Sequence, residues 1–195
     1  MKSKKPTVTI GIPAYNEEAN IKNLLLSLLS QKQENFKLKE IIVISDGSTD
    51  RTVEIARSVN NPVVRVIDGK KRLGQSVRQN QILSIYKGEI LVLVEADTLP
   101  YNSYTISRLV SPYCNGRNSK LGMVVGQAIS IPPQTFFEKI AYYEEEFKKN
   151  LFADWKNETS IYSSGGHAMK ALSRNFAQKL LWPDDAPEDS YAYLR

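Results

Sequence analysis

The chain has 195 residues, 42% hydrophobic and 24% charged, with a net charge of +5 and a single cysteine, Cys114. That composition suits one globular domain with its own core and excludes an internal disulfide. No stretch is long and apolar enough to span a bilayer as a helix, and there is no repeat, low-complexity tract or Pro/Gly/Ser linker.

The start, MKSKKPTVTIGIP, lacks the apolar run of a secretory signal, so the expected location is cytoplasmic. Val8 to Ile12 reads as a strand. Glu17 to Ser30 reads as a helix, with Ile21, Leu24, Leu25, Leu28 and Leu29 as its apolar stripe. Ile41 to Ile44 is a continuous apolar run of the kind buried on both faces of a parallel sheet. A helix is predicted over Asp50 to Val59, with Ser48 or Thr49 as N-cap, then a strand over Val63 to Ile67 and a helix over Ser76 to Tyr86. Ile90 to Val94 is a fourth strand. Tyr104 to Val110 reads as helical, Met123 to Ile129 as a fifth strand, and Thr135 to Leu151 as a long helix. After Leu151 the pattern weakens into a loop-rich cap, with a short strand expected at Ala168 to Lys170.

Strands alternating with helices imply βαβ units and a mostly parallel sheet. Ligands of such sheets bind beyond the carboxyl ends of the strands. The informative loops therefore begin at Pro13, Ser45, Asp68 and Glu95.

The first loop, Pro13-Ala14-Tyr15-Asn16-Glu17-Glu18, has no glycine with which its backbone could approach a pyrophosphate as a dinucleotide fingerprint does. It offers a tyrosine ring to pack on and a carboxylate, or else a proline turn with Asn16 capping the next helix. In Ser45-Asp46-Gly47-Ser48-Thr49-Asp50, turn and cap chemistry explains Gly47, Ser48 and Thr49. Asp46, ending a buried strand, is a natural acceptor for a base N–H. Glu95-Ala96-Asp97 puts two carboxylates one residue apart at the sheet edge, where they can face one oxygen-seeking cation, Mg2+ or Mn2+. The alternative is that Asp97 or Thr98 caps the following helix. Glu188 and Asp189 either start a helix or supply a general base. Gly165 and Gly166 are turn residues or a place of close backbone approach, and His167, the only histidine, is a possible further metal ligand. The basic clusters Lys2, Lys4, Lys5 and Lys70, Lys71, Arg72 are either solvated surface or a site for phosphate or an anionic membrane. They are not interleaved with aromatics, so nucleic acid is not an expected partner.

Taken together, Ile12 to Glu18, Asp46 to Asp50, Glu95 to Asp97, Gly165-Gly166 and Glu188-Asp189 resemble, in order, the motifs of family 2 glycosyltransferases. The resemblance implies an α/β fold of GT-A type, a three-layer sandwich with a mostly parallel central sheet. It implies a single catalytic domain over residues 1–195, with a nucleotide-binding part over about 7–100 and an acceptor-binding part over about 101–195. It implies an inverting enzyme that uses Mn2+ or Mg2+ and a nucleotide-diphospho-sugar donor, with uridine the first expectation. Pro13, Ala14, Tyr15, Glu17, Asp46, Arg72, Gly74, Asn80, Glu95 and Ala96 would meet the donor. Asp97, with Glu95, would hold the metal. Gly165, Gly166 and Glu188 would border a sugar or lipid-linked acceptor, and Asp189 would be the base. The chain departs from the pattern at Glu95, where Asp is usual, and at Gln75, where Lys is common. It also lacks the Gln-x-x-Arg-Trp motif of processive members. A non-catalytic nucleotide-sugar-binding module and a sugar nucleotidyltransferase are the alternatives. The latter would carry a Gly-rich first loop, absent here.

Overall fold

The computed structural model describes residues 5–114, 121–126, 129, 132–153 and 169–183. Its elements are β1 (Thr7–Ala14), α1 (Ile21–Leu29), β2 (Lys37–Asp46), α2 (Thr52–Ser58), β3 (Val64–Gly69) and α3 (Gln75–Ile85). They continue as β4 (Ile90–Val94), α4 (Thr105–Cys114), β5 (Met123–Gly126), α5 (Phe136–Ala153), β6 (Met169–Ser173) and α6 (Arg174–Ala177). The six strands form one sheet in the order β3-β2-β1-β4-β6-β5. Neighbours from β3 through β4 pair in parallel, and β6 pairs antiparallel with both β4 and β5. One reversed strand thus lies inside an otherwise co-directional sheet.

The apolar runs divide by the period of a strand. Ile41 and Val43 of β2 and Ile90, Val92 and Val94 of β4 pack with α1, α2 and α4 on one face. Ile42, Ile44, Leu91 and Leu93 pack with Ile82 of α3, Ala177 of α6, Leu180 and Trp182 on the other. Three layers follow, helix–sheet–helix, as the continuous apolar runs predict. At Gly11 in the centre of β1, a Cβ would come within 2.6 Å of Ile82 Cγ2, so the missing side chain lets α3 lie close against the sheet.

Several boundaries differ from expectation for physical reasons. The first helix starts at Ile21 instead of Glu17, after a turn in which the N–H groups of Asn20 and Ile21 both reach Glu17 O (3.0 and 2.9 Å), while the N–H groups of Glu17 and Glu18 donate to Thr52 Oγ1 (2.7 Å) and Asp50 Oδ2 (3.0 Å). Neither Ser48 nor Thr49 caps α2; the Thr52 N–H goes to Asp50 Oδ1 (3.0 Å). Neither Asp97 nor Thr98 caps α4, which starts at Thr105 behind Asn102. The helix Thr105–Cys114 runs past the expected Val110; the strand expected over Met123 to Ile129 is described over Met123–Gly126, residues 127 and 128 lying outside the described residues. The strand expected at Ala168 to Lys170 runs on to Ser173, described over Met169–Ser173, with Ala168 outside the described residues. On α5, Phe136, Phe137, Ile140, Tyr143 and Phe147 are exposed.

Candidate functional site

The carboxyl ends of β1, β2, β3 and β4 bring the four informative loops to one edge of the sheet. The loops after β1 and β2 are stitched together, side chain to backbone. Asn16 takes a left-handed conformation (φ 55°), and its N–H donates to Ser48 Oγ (3.1 Å). Its Oδ1 accepts from Thr49 N–H (2.8 Å), and Glu18 Oε2 accepts from Arg51 N–H (3.0 Å). Asn16 therefore closes the neighbouring loop instead of capping its own helix. The Asp50 carboxylate is pushed up by partial burial. The hydrogen bonds from the Thr52 hydroxyl and from the N–H groups of Thr52 and Glu18 outweigh this and hold its pKa below the ordinary carboxylate value.

Tyr15 projects from the first loop, and the Arg72 guanidinium stacks on its ring, 4.0 Å from the centroid. Lys70 pairs with Asp68 (2.5 Å). Two of the three charges of that basic cluster are thus engaged within the chain.

Asp46, at the end of β2, is 7% exposed in its side chain and forms an ion pair with Arg78 of α3 (Nε to Oδ1, 2.8 Å). The same carboxylate accepts from the N–H groups of Leu73 (to Oδ1, 2.7 Å) and Gly74 (to Oδ2, 3.0 Å). Asp46 therefore pins the loop between β3 and α3 over the end of the sheet. Gly74 has φ 94°, a conformation that L side chains rarely adopt, and a Cβ there would meet nothing, so backbone conformation and not space calls for glycine. Arg78 was not a candidate from the sequence. It lies on a helix whose buried face is polar (Ser76, Arg78, Gln79), so no apolar stripe marks its side as inward.

Asn80 is placed differently from the donor-binding expectation. Its Nδ2 donates to Trp182 O (2.7 Å) and its Oδ1 accepts from Trp182 N–H (3.0 Å), so the amide clamps the 182 backbone to α3. Ala14 and Ala96 are 3% and 6% exposed and belong to the core, so contact of either with a donor would be through backbone. Pro13 is half-buried at the end of β1. The Glu17 carboxylate accepts from Asn20 Nδ2 (2.8 Å).

Glu95 and Asp97 leave the end of β4 with Glu95 half-buried and Asp97 exposed. Among the described residues no three His, Cys, Asp or Glu side chains converge as a metal cage. The donor set still fits a hard cation that completes its shell with phosphate oxygens, since Mg2+ and Mn2+ take one or two carboxylates plus substrate in such sites. Gly165, Gly166, His167, Glu188 and Asp189 lie outside the described residues.

A mostly parallel α/β sheet with its polar loops gathered at one carboxyl edge defines a ligand-binding fold of doubly wound type. The family model for glycosyl transferase family 2 matches residues 9–181, and the chain belongs to that family. Among curated relatives, the uncharacterized glycosyltransferase YibD of Escherichia coli K12 is 34% identical over 96 residues, 48% of this chain and 27% of that protein. A 4,4'-diaponeurosporenoate glycosyltransferase of Staphylococcus aureus RF122 is 34% identical over 109 residues, 55% of this chain and 28% of that protein. Among solved structures, the mannosyltransferase PcManGT of Pyrobaculum calidifontis, in complex with GDP-Man and Mn2+, superposes with a TM-score of 0.69 at 22% identity, over 97% of this chain and 51% of that one. Glucosyl-3-phosphoglycerate synthase of Mycobacterium tuberculosis, with Mn2+, UDP and glucosyl-3-phosphoglycerate, gives 0.63 at 21% identity, over 87% of this chain and 57% of that one. The chain matches about half the length of these solved proteins and about 30% of the length of these curated relatives. The fold is the GT-A fold of these glycosyltransferases.

Proposed function

We propose that the chain is the catalytic core of an inverting glycosyltransferase that moves a sugar from a nucleotide-diphosphate donor to an acceptor hydroxyl on a sugar or lipid-linked molecule. The observation that carries this reading is the convergence of Tyr15, Asp46, Arg72 and the Glu95–Asp97 pair at one sheet edge. Tyr15 offers a ring face for a base, Asp46 an acceptor for its N–H, and Arg72 a cation beside the diphosphate. Asp97, with Glu95, would hold a divalent cation, which when bound supplies positive charge against the leaving diphosphate. The Mn2+ in the solved neighbours supports that assignment.

In the reaction, Asp189 takes the proton of the acceptor hydroxyl as its oxygen bonds to the anomeric carbon. The bond from that carbon to the donor diphosphate breaks, and the nucleoside diphosphate leaves with the electron pair from the opposite face, so the configuration inverts.

The test combines a transfer assay with two variants. Wild type should release nucleoside diphosphate and form product of inverted anomeric configuration by NMR. Pyrophosphate release would indicate a nucleotidyltransferase, and binding without turnover a non-catalytic module. Asp97→Ala should weaken UDP binding at least about tenfold in Mn2+, worth about 1.4 kcal/mol, and change it little in EDTA; equal affinities in Mn2+ would remove the metal assignment. Asp189→Asn should lower transfer about a hundredfold or more while leaving UDP affinity intact; full transfer would exclude it as the base.

A further inference from the structure

We infer that Arg78 sets the base specificity of this pocket by occupying one oxygen of Asp46, leaving a single acceptor position for an incoming base. The inference rests on the donor reading proposed above. An ionised carboxylate offers about four lone-pair positions, two on each oxygen. Oδ1 of Asp46 accepts from both Leu73 N–H (2.7 Å) and Arg78 Nε–H (2.8 Å), which fills it. Oδ2 accepts from Gly74 N–H (3.0 Å), which leaves one position.

Arg78 is itself held on every side. Nη1 donates to Gln81 Oε1 (2.9 Å) and Nη2 to Lys71 O. The guanidinium lies where a side chain on Gly69 would project: a Cβ there would be 2.5 Å from Nη2 and 2.6 Å from Cζ. The Arg78 and Asp46 side chains are only 5% and 7% exposed. Turning Asp46 to present both oxygens would break a buried ion pair and strand the Leu73 N–H.

One open acceptor suits one base edge better than another. Uracil presents a single N–H, at N3, between two carbonyls. Guanine presents N1–H and an N2 amino hydrogen side by side, which a carboxylate matches only with one open position on each oxygen. With Oδ1 filled, guanine leaves one N–H without a partner. The pocket therefore takes uridine or thymidine diphosphates in preference to guanosine diphosphates. Arg78 acts through Asp46 and touches no donor atom, so it is a positioning residue.

The experiment measures UDP and GDP dissociation constants in Mn2+ by calorimetry for wild type, Arg78→Met and Arg78→Lys, with folding checked by circular dichroism. Wild type should prefer UDP by about tenfold or more, the scale on which an unpaired buried donor weakens binding. Arg78→Met opens one position on Oδ1, beside the Leu73 N–H that stays on it, and should cut that preference at least about fivefold, and Arg78→Lys, which can return a donor to Oδ1, should keep more of it. A purely structural role would weaken both nucleotides by the same factor, and an unchanged ratio in the folded variants overturns the inference. Should the variants fail to fold, the wild-type ratio decides: GDP binding as tight as UDP overturns it while the glycosyltransferase reading stands. Binding of neither nucleotide to wild type overturns that reading and this inference together.

Discussion

Asn80 illustrates how a residue in the right motif position can carry a different load. The resemblance assigns it to the donor, yet each end of its amide makes a hydrogen bond to the backbone of Trp182, a residue 1% exposed in the core. Asn80→Ala should cost about 1–3 kcal/mol in urea unfolding, since it removes both hydrogen bonds by which the amide ties the 182 backbone to α3, with UDP affinity within about twofold. A large loss of affinity at unchanged stability would return Asn80 to the donor site. Asp50 makes a second case. Its folded-state pKa lies below the ordinary 3.8 because the Thr52 and Glu18 hydrogen bonds outweigh desolvation. A depressed carboxylate pKa contributes stability that is fully present above the unfolded value and is lost as pH falls through the folded one. Wild type should therefore exceed Asp50→Asn in stability at neutral pH, and the gap should close as pH falls below about 4. A gap independent of pH would mean that the seam depends on the shape of the side chain and not on its charge.

At the scale of elements, β2 and β4 were legible because an uninterrupted apolar run buries both faces of a parallel strand, and Ile41 to Ile44 and Ile90 to Val94 divide between the two core faces as that predicts. β6 was only half legible. Its Met-Lys-Ala-Leu-Ser segment carries Lys170 at 3% exposure, and a lysine in a short run disguises a central strand. Direction is not written in such a pattern, so the reversal of β6 could not be read. The cap of α2 differs for a related reason: Ser48 has the right chemistry, but its hydroxyl is engaged with Ser45 of its own loop and with Asn16 N–H, the latter a contact between segments that local spacing does not contain. α3 was legible as a helix and not as part of the site, because its inward polar residues look like a solvated face. Its seating on β1 can be tested. Gly11→Ala would set a Cβ 2.6 Å from Ile82 Cγ2, which overpacking data price at about 1–3 kcal/mol. Because α3 carries Arg78, the variant should also weaken UDP binding. Adding Ile82→Ala should make the double variant less unstable than the sum of the two singles. Additivity in a double-mutant cycle would deny the close approach.

For the molecule as a whole, the carboxyl edge of the sheet is where local order depends on more than one element. Loops after β1 and β2 hold each other through Asn16, Ser48, Asp50 and Thr52, and the loop after β3 hangs on Asp46. A ligand that bridges these loops binds only when the sheet has assembled them, so its binding energy adds to global stability. The motif residues were readable one by one, but this coupling was not, since Arg72 on Tyr15 and Arg78 on Asp46 join positions far apart in sequence. At a hundredfold its dissociation constant, UDP with Mn2+ should stabilise the fold by about 2.7 kcal/mol. For a chain of this size that corresponds to a rise in Tm of roughly 5–10 °C. Mn2+ alone should give much less, because in the proposed site Glu95 and Asp97 would supply only two carboxylates and the phosphate oxygens would supply further ligands. In Asp97→Ala the increment that Mn2+ adds to UDP should vanish while any shift from UDP alone persists. A scan in which UDP and Mn2+ together move Tm no further than the sum of their separate effects would show that nucleotide and cation do not share this edge.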